Sequence, residues 1–280
     1  MHMTTTKEKK TNDLTINKKV WILPWSIVFA ALIISTSLVY YVSASKQNTP
    51  PSGKTTQISK SETTDIVSAE LSQELIIPAE GVVLSFTWND LGKQMVQSGV
   101  IDQDKFEALY TQRGGLPADM QAMLSGESNE PVRITSENAP VILNLAWALG
   151  LGNKNPILEQ GPMVDERYGG AGNFASTGGW TLAKGNAMDH YSKHTLITLN
   201  REQQVMVERV SQGIFRPCCG NSTHFPDCNH GMAMLGLLEL MASQGVSEDE
   251  MFNAALAINS YWFPSTYLTI AKLYEKNSVS

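Results

Sequence analysis

Residues 230–260 read HGMAMLGLLELMASQGVSEDEMFNAALAINS. The first half is apolar and rich in helix-favouring residues, and Gly245 suits the left-handed position that follows a helix. Ser247 and Glu250 have the spacing of a capping box, in which each side chain can bond the other residue's backbone N–H. These features predict a C-terminal helical hairpin. Its two helices are predicted over residues 230–244 and 248–260.

Helical patterns also dominate the chain before and after this hairpin. The residues placed to begin further helices are Asn89-Asp90, Asp102, Pro117, Ser136, Asn200 and Pro264. The helix capped by Ser136 is apolar on nearly all sides and should end at Gly150 or Gly152, so we expect it to be central to the core. Two short strands are predicted around residues 82–86 and 132–134. Residues 67–280 therefore constitute one mainly α domain.

Seven glycines fall within residues 161–185. A glycine-rich loop that cradles phosphate follows a strand and opens a helix, and this segment has neither signal. The composition favours a long surface loop. Loops of this length are often functional, so we expect it to cover a site.

Residues 20–45 form a run of 26 residues without a charge. This run is long enough to cross a bilayer as a helix, and tryptophans near its start and tyrosines near its end suit the two membrane interfaces. A cleaved signal peptide is the alternative, but its apolar core is usually only about 7–15 residues long. We therefore predict a retained transmembrane anchor.

The flanks of this run predict its orientation. Five lysines precede it, in residues 1–19, and three follow it by residue 60. The bias predicts a cytoplasmic basic tail over residues 1–19. Residues 46–66 are polar, lack apolar periodicity and are predicted to be a flexible linker. The domain over residues 67–280 would then lie in a periplasm or at a cell surface.

Charge is distributed unevenly along the chain. Residues 1–66 carry eight lysines and four acidic residues, whereas residues 67–280 carry 13 basic and 23 acidic residues. An acidic domain argues against a nucleic-acid partner. Apolar residues make up 42% of the chain, which excludes wholesale disorder.

All cysteines of the chain, and every histidine after His2, fall within residues 190–230. Thiolate and imidazole are ligands of zinc and copper, so this cluster predicts a site for a soft or borderline transition metal. The expected ligands are Cys218, Cys219, Cys228 and either His230 or His224. His190 and His194 are four residues apart, would share one face of a helix and are expected to approach the same pocket.

Two other interpretations of the cluster stay open. Cys228 lies just before a predicted helix, where the helix dipole favours a thiolate, so it is the reactive thiol if the protein is a thiol–disulfide oxidoreductase. Alternatively, the domain is an interaction module in which two cysteines form a structural disulfide. The predicted helical hairpin, with its turn from Gln244 to Glu250, resembles over roughly 30 residues the helical thiol-reducing domains of cytochrome c maturation. It lacks their paired-cysteine signature, so the resemblance implies no residue roles.

No nucleophile elbow, phosphate-binding loop, dinucleotide-binding fingerprint or His-Glu-x-x-His motif occurs in the sequence. The sequence therefore assigns no catalytic residue beyond Cys228 in the redox interpretation. The expected partners are the membrane, through the single span, and a protein or metal donor or acceptor outside the cytoplasm.

Overall fold

The structure is a computed structural model that describes residues 73–126 and 128–277. The predicted tail, transmembrane anchor and linker lie outside these residues and stay predictions. Within the described ranges, none of the helices has both the length and the apolar character that crossing a bilayer requires.

The described chain is mainly helical, as predicted. Its strands are β1 (Val82–Asn89) and β2 (Ser128–Ile134). Its helices are α1 (Leu91–Ser98), α2 (Gln103–Thr111), α3 (Ala118–Ser125), α4 (Ala139–Gly152), α5 (Pro156–Gln160), α6 (Ala175–Gly178), α7 (Arg201–Gly213), α8 (Asn229–Ser243), α9 (Glu248–Trp262) and α10 (Pro264–Asn277). Four 3₁₀ turns lie between α5 and α7, at Pro162–Val164, Glu166–Tyr168, Ala171–Asn173 and Ala187–Asp189.

The two strands pair antiparallel, with Val82 opposite Ile134. Alternate residues of β1 face inward, so that Leu84, Phe86 and Trp88 are buried while their neighbours are more exposed. This alternation is typical of a sheet with one face against the core. Both predicted strands are present, but each is longer than predicted: β1 continues to Asn89 and β2 begins at Ser128.

Helices α4 and α8 form the centre of the domain. Both are apolar nearly all round and are buried along most of their length. Their backbones meet at Gly150 and Gly236, where a Cβ on Gly236 would lie only 2.6 Å from the backbone nitrogen of Gly150. The absence of side chains at these two positions therefore allows the close crossing.

The predicted hairpin is present as α8 and α9. Gly245 between them has φ +77°, in the left-handed region that glycine adopts without strain. The Ser247 side chain accepts from the Glu250 N–H, and the Glu250 carboxylate accepts from the Ser247 N–H, which completes the capping box.

The start of α4 differs from its prediction. The residue before the helix is Asn138, not Ser136. The Asn138 side chain accepts from the Thr135 N–H and donates to the Arg133 carbonyl, so it closes a turn that leads into the helix. A local turn therefore places the first residue of α4 later than the spacing of Ser136 suggested.

The glycine-rich segment is more ordered than a plain surface loop. It contains three of the 3₁₀ turns and the short helix α6. Trp180 within it is buried and donates its indole N–H to the Val100 carbonyl at 2.8 Å. Part of the segment therefore belongs to the core.

Candidate metal centre

Cys218 and Cys219 lie in the loop between α7 and α8. The Arg216 N–H donates to the Asn221 carbonyl at 3.2 Å, and the Gly220 N–H donates to the Arg216 carbonyl at 2.8 Å. Gly220 has φ +72°, which permits this tight turn. The turn leaves both cysteines exposed.

Cys228 occupies the N-cap position of α8, and His230 lies in the first turn of that helix. The Cys228 carbonyl accepts from the Met232 N–H at 3.0 Å, so the backbone of Cys228 is fixed by the helix. The rigid helix thus holds one cysteine and one histidine near the cysteines of the loop.

Cys218, Cys228 and His230 form the first group of donors. The sulfurs of Cys218 and Cys228 are 3.5 Å apart, and one ligand atom from each of the three residues lies within 4.8 Å of the others. Ligand atoms at about 2.3 Å from a tetrahedral ion are separated by about 3.8 Å. The three donors therefore lie close enough together to be ligands of a single ion.

The ring of His230 is held by aromatic contacts. Its centroid is 4.5 Å from that of Phe263 and 5.6 Å from that of Trp262. Burial, followed by the positive charge of Arg216, lowers the pKa of His230 to about 4. At neutral pH the imidazole is consequently uncharged and has a lone pair available for a metal ion.

Cys219, Asp227 and Cys228 form a second group whose ligand atoms lie within 4.8 Å of one another. Here the cation is supplied by the protein itself. The guanidinium of Arg216 contacts the Cys219 sulfur at 3.3 Å and forms an ion pair with Asp227. Because the Arg216 guanidinium already provides a positive charge next to Cys219 and Asp227, the first group is the better site for a metal ion.

Arg216 also fixes the shape of the loop. It is 1% exposed, and its guanidinium donates to the Ser222 carbonyl at 2.6 Å and to the Phe225 carbonyl at 3.0 Å. Asp227 is held on its other side by the Asn221 amide at 2.8 Å. Displacing this guanidinium would leave several buried polar groups without partners, which is costly.

The thiols of Cys218 and Cys219 are electrostatically different. Although Cys218 is exposed as a residue, partial burial of its sulfur, together with the neighbouring Cys228, raises the pKa of Cys218 to about 12. Burial also disfavours ionisation of Cys219, but the Asn221 N–H and the Arg216 guanidinium outweigh it, so the pKa of Cys219 is lowered. The positive charge of Arg216 in this loop therefore stabilises the thiolate of Cys219.

His190 and His194 contact each other. His190 ends the 3₁₀ turn Ala187–Asp189, so the pair does not share a regular helix face. The His190 Nε2 lies 2.7 Å from the Lys184 carbonyl, and its Nδ1 lies 2.9 Å from the Nε2 of His194. In the tautomers that satisfy both contacts, His190 donates to Lys184 and accepts from His194. Neither imidazole belongs to the two donor groups found in the described residues.

His224 lies against α7. The backbone N–H of His224 donates to the Ser211 carbonyl at 3.0 Å, and the ring Nδ1 of His224 is 3.4 Å from the Ser211 hydroxyl. His224 also lies outside both donor groups. Of the two histidines that the sequence offers as alternatives, the geometry therefore favours His230.

The glycine-rich segment packs beside the cysteine loop. The Ser176 N–H donates to the Asp227 carbonyl at 3.1 Å. The ring centroids of Tyr168 and Phe174 each lie 5.4 Å from that of Phe225. These contacts place the segment next to the candidate centre and support the backbone on which Asp227 and Cys228 lie.

Comparisons with known protein families, with curated proteins and with solved structures find no match for this chain. The function must therefore be argued from the donors themselves. Sequence reasoning missed Arg216, whose only local signal is its position two residues before Cys218.

Proposed function

We propose that this protein binds one soft or borderline transition metal ion, zinc or copper, through Cys218, Cys228 and His230. The observation that carries the proposal is the convergence of two sulfurs, 3.5 Å apart, with an imidazole nitrogen. Thiolates and imidazole are the donors that zinc and copper prefer. Cys219 and Asp227 support the site through Arg216.

Accessibility favours metal handling over a purely structural ion. Structural zinc sites are usually closed by four protein ligands. Here three donors converge, and Cys218 is exposed. A further coordination position is then open to water or to a ligand from another molecule. The partner that this arrangement suits is a donor or acceptor of the same ion.

The proposal places this centre outside the cytoplasm. The uncharged run at residues 20–45 serves as a single-pass membrane anchor, residues 1–19 stay in the cytoplasm, and residues 46–66 link the anchor to the domain. The lysine bias across the run supports this topology. A membrane-impermeant thiol reagent should therefore label Cys219 in intact cells, and labelling only after lysis would contradict the topology.

Metal content of the full chain tests the metal proposal. The chain is purified in detergent without a histidine tag, loaded under reducing conditions, dialysed and analysed by elemental mass spectrometry. We expect about one equivalent of zinc or copper in the wild type and in the matched control His224→Ala, and loss of this ion in Cys228→Ser. No retained metal in the wild type would refute the proposal.

Thiol–disulfide exchange is the second candidate, favoured by the same short distance between the sulfurs of Cys218 and Cys228. All three cysteines are free thiols in the structure. In this reaction the Cys228 thiolate attacks the substrate disulfide and releases one thiol, and Cys218 then displaces the second thiol and forms the Cys218–Cys228 disulfide. Reduction of a model disulfide by the metal-free chain, lost in Cys218→Ser and in Cys228→Ser, would support this function.

A further inference from the structure

His190 and His194 each direct one ring nitrogen at the other. The Nδ1 of His190 and the Nε2 of His194 are 2.9 Å apart, and neither ring belongs to the donor groups formed with cysteine. Two imidazole nitrogens at this distance form a hydrogen bond when a proton lies between them. They can serve as adjacent ligands when a metal ion takes the place of that proton.

The backbone around this histidine pair is fixed by the end of α4. The Ser192 N–H donates to the Leu151 carbonyl at 2.8 Å, and the His194 N–H donates to the Gly152 carbonyl at 2.9 Å. Ser192, between the two histidines, has φ +52°, a left-handed conformation that is uncommon for a residue with a side chain. Such conformations persist where surrounding contacts impose them, and they cluster at active sites and ligand clamps. The turn therefore holds the two rings together before any ligand binds.

The outer nitrogen of His190 is held as it is in many metal ligands. The Nε2 of His190 lies 2.7 Å from the Lys184 carbonyl, which accepts the ring N–H and leaves the Nδ1 lone pair directed at His194. Histidines that bind metal ions commonly donate their other N–H to a backbone carbonyl, because this contact fixes the tautomer. Lys184 is itself held in place, since its N–H donates to the Gly99 carbonyl at 2.9 Å.

His194 can supply the second lone pair. Within the described part of the chain, the Nδ1 of His194 has no hydrogen-bond partner, so it can carry the ring proton while Nε2 binds an ion. Burial, followed by the neighbouring His190, lowers the pKa of His194, so this ring is uncharged at neutral pH. His194 is half-buried and lies between the exposed residues Lys193 and Thr195, so an ion can approach it from solvent.

The separation of the two nitrogens indicates the kind of ion. Ligands about 2.0 Å from an ion lie about 2.8 Å apart at adjacent corners of a square plane but about 3.3 Å apart in a tetrahedron. The observed 2.9 Å is closer to the square-planar value, which is the geometry of copper(II) and nickel(II). Copper(II) binds nitrogen ligands more tightly than nickel(II) does.

We propose that His190 and His194 bind one copper(II) ion, whose remaining positions are taken by water or by a ligand from another molecule. This site is separate from the centre formed by Cys218, Cys228 and His230 and does not depend on it. Two imidazoles hold an ion more weakly than a centre with two thiolates, so we expect this copper(II) to be lost on dialysis. The single equivalent that is expected after dialysis is therefore the ion of the cysteine centre.

Electron paramagnetic resonance of copper(II) added to the full chain in detergent tests this inference. The chain carries Cys218→Ser, Cys219→Ser, Cys228→Ser and His2→Ala, because thiols reduce copper(II) and a histidine next to the N-terminus competes for it. We expect one copper(II) bound at equilibrium, with superhyperfine splitting from two imidazole nitrogens. The cysteine centre is removed from this chain, so the outcome is independent of the outcome for that centre.

In this chain, His190→Gln and His194→Gln should each weaken copper(II) binding at least about tenfold and leave the splitting of one nitrogen. The matched control His224→Gln should change neither property, and circular dichroism should show the same helix content in all variants. Splitting from two nitrogens that persists in both single variants would overturn the proposal. An equal loss of affinity in His224→Gln would overturn it as well.

A second measurement needs no substitution. Nickel(II), which thiols do not reduce, should slow the carbethoxylation of His194 by diethyl pyrocarbonate in the unchanged chain, as mapped by mass spectrometry. The rate at His224 should stay the same. An unchanged rate at His194 with saturating nickel(II) would contradict a metal site at the histidine pair.

Discussion

The sulfur of Cys218, on an exposed turn, lies 3.5 Å from the sulfur of Cys228, at the start of α8. Ten positions separate the two residues in sequence, and the turn held by Arg216 brings them together. The third member of the donor group is His230, the second residue of α8. This relationship makes the two thiols either joint ligands of one ion or the two halves of one disulfide.

Mild oxidation of the metal-free chain should join Cys218 to Cys228 and prevent metal binding. The 3.5 Å separation needs only a small movement to form a bond, whereas a bond between adjacent residues such as Cys218 and Cys219 is strained. Peptide mapping by mass spectrometry should find the same disulfide in Cys219→Ser. A predominant Cys218–Cys219 bond would contradict the geometry.

Replacing His230 with alanine should weaken metal binding much more than replacing His224. His230 supplies a donor to the group, whereas His224 lies against Ser211. Loss of even a supporting residue around a metal typically costs about 10–100-fold in affinity, so loss of a ligand should cost at least that much. Competition with a chromogenic chelator measures both variants. Equal affinities for His230→Ala and His224→Ala would refute the assignment of His230.

Glu239 should make the stability of the domain fall as the pH rises from about 4.5 to about 8. Its side chain is buried in α8 and accepts from the Asn153 amide at 2.8 Å and from the Asn155 amide at 2.5 Å. Burial raises its pKa from 4.5 to about 8, against the effect of these two hydrogen bonds. The unfolded chain loses the proton near pH 4.5 and the folded chain keeps it, so unfolding releases a proton in this window.

Glu239 should lower the free energy of unfolding by at most about 1.4 kcal/mol for each pH unit in this window. Above its folded-state pKa, Glu239 should contribute nothing to the slope of the free energy of unfolding against pH. Urea unfolding at several pH values measures it. Glu239→Gln should flatten the slope, whereas Glu202→Gln, at an exposed position, should leave it unchanged. An unchanged slope in Glu239→Gln would show that Glu239 is already ionised in the folded state.

Gly236→Ala should destabilise the domain, although alanine is normally the better helix former by about 1 kcal/mol. The added Cβ would lie 2.6 Å from the backbone nitrogen of Gly150 and 2.8 Å from the carbonyl of Ala146. It would therefore force α4 and α8 apart, at a cost of about 1–3 kcal/mol. Thermal or urea unfolding measures the change, and a stabilised variant would contradict the close crossing.

Local signals predicted most of the helices because their physical causes are local. The capping boxes at Asn200 and at Ser247 each depend on residues three positions apart, and both are present in the structure. The misplaced start of α4 shows the limit of this reasoning. Ser136 is a good cap by composition, but the hydrogen bonds of Asn138 to Thr135 and Arg133 decide where the helix begins.

The candidate centre could be located but not resolved from sequence. Clustering of cysteine and histidine pointed to residues 190–230, since composition alone would scatter these residues. The choice of His230 over His224 depends on how the folded loop packs against α8. The spacing of the residues in sequence does not predict this packing. Arg216 was missed because a lone arginine carries no motif, and its role appears only once the loop folds around its guanidinium.

X-ray absorption of the zinc-loaded full chain tests the central claim most directly, because it counts the atoms bound to the ion. We expect two sulfurs and one imidazole nitrogen, completed by an oxygen or nitrogen from solvent, and the same two sulfurs in Cys219→Ser. Cys228→Ser should lose the ion. A first shell with only nitrogen and oxygen in the wild type, or a sulfur lost in Cys219→Ser, would contradict the assignment of Cys218, Cys228 and His230 as the ligands.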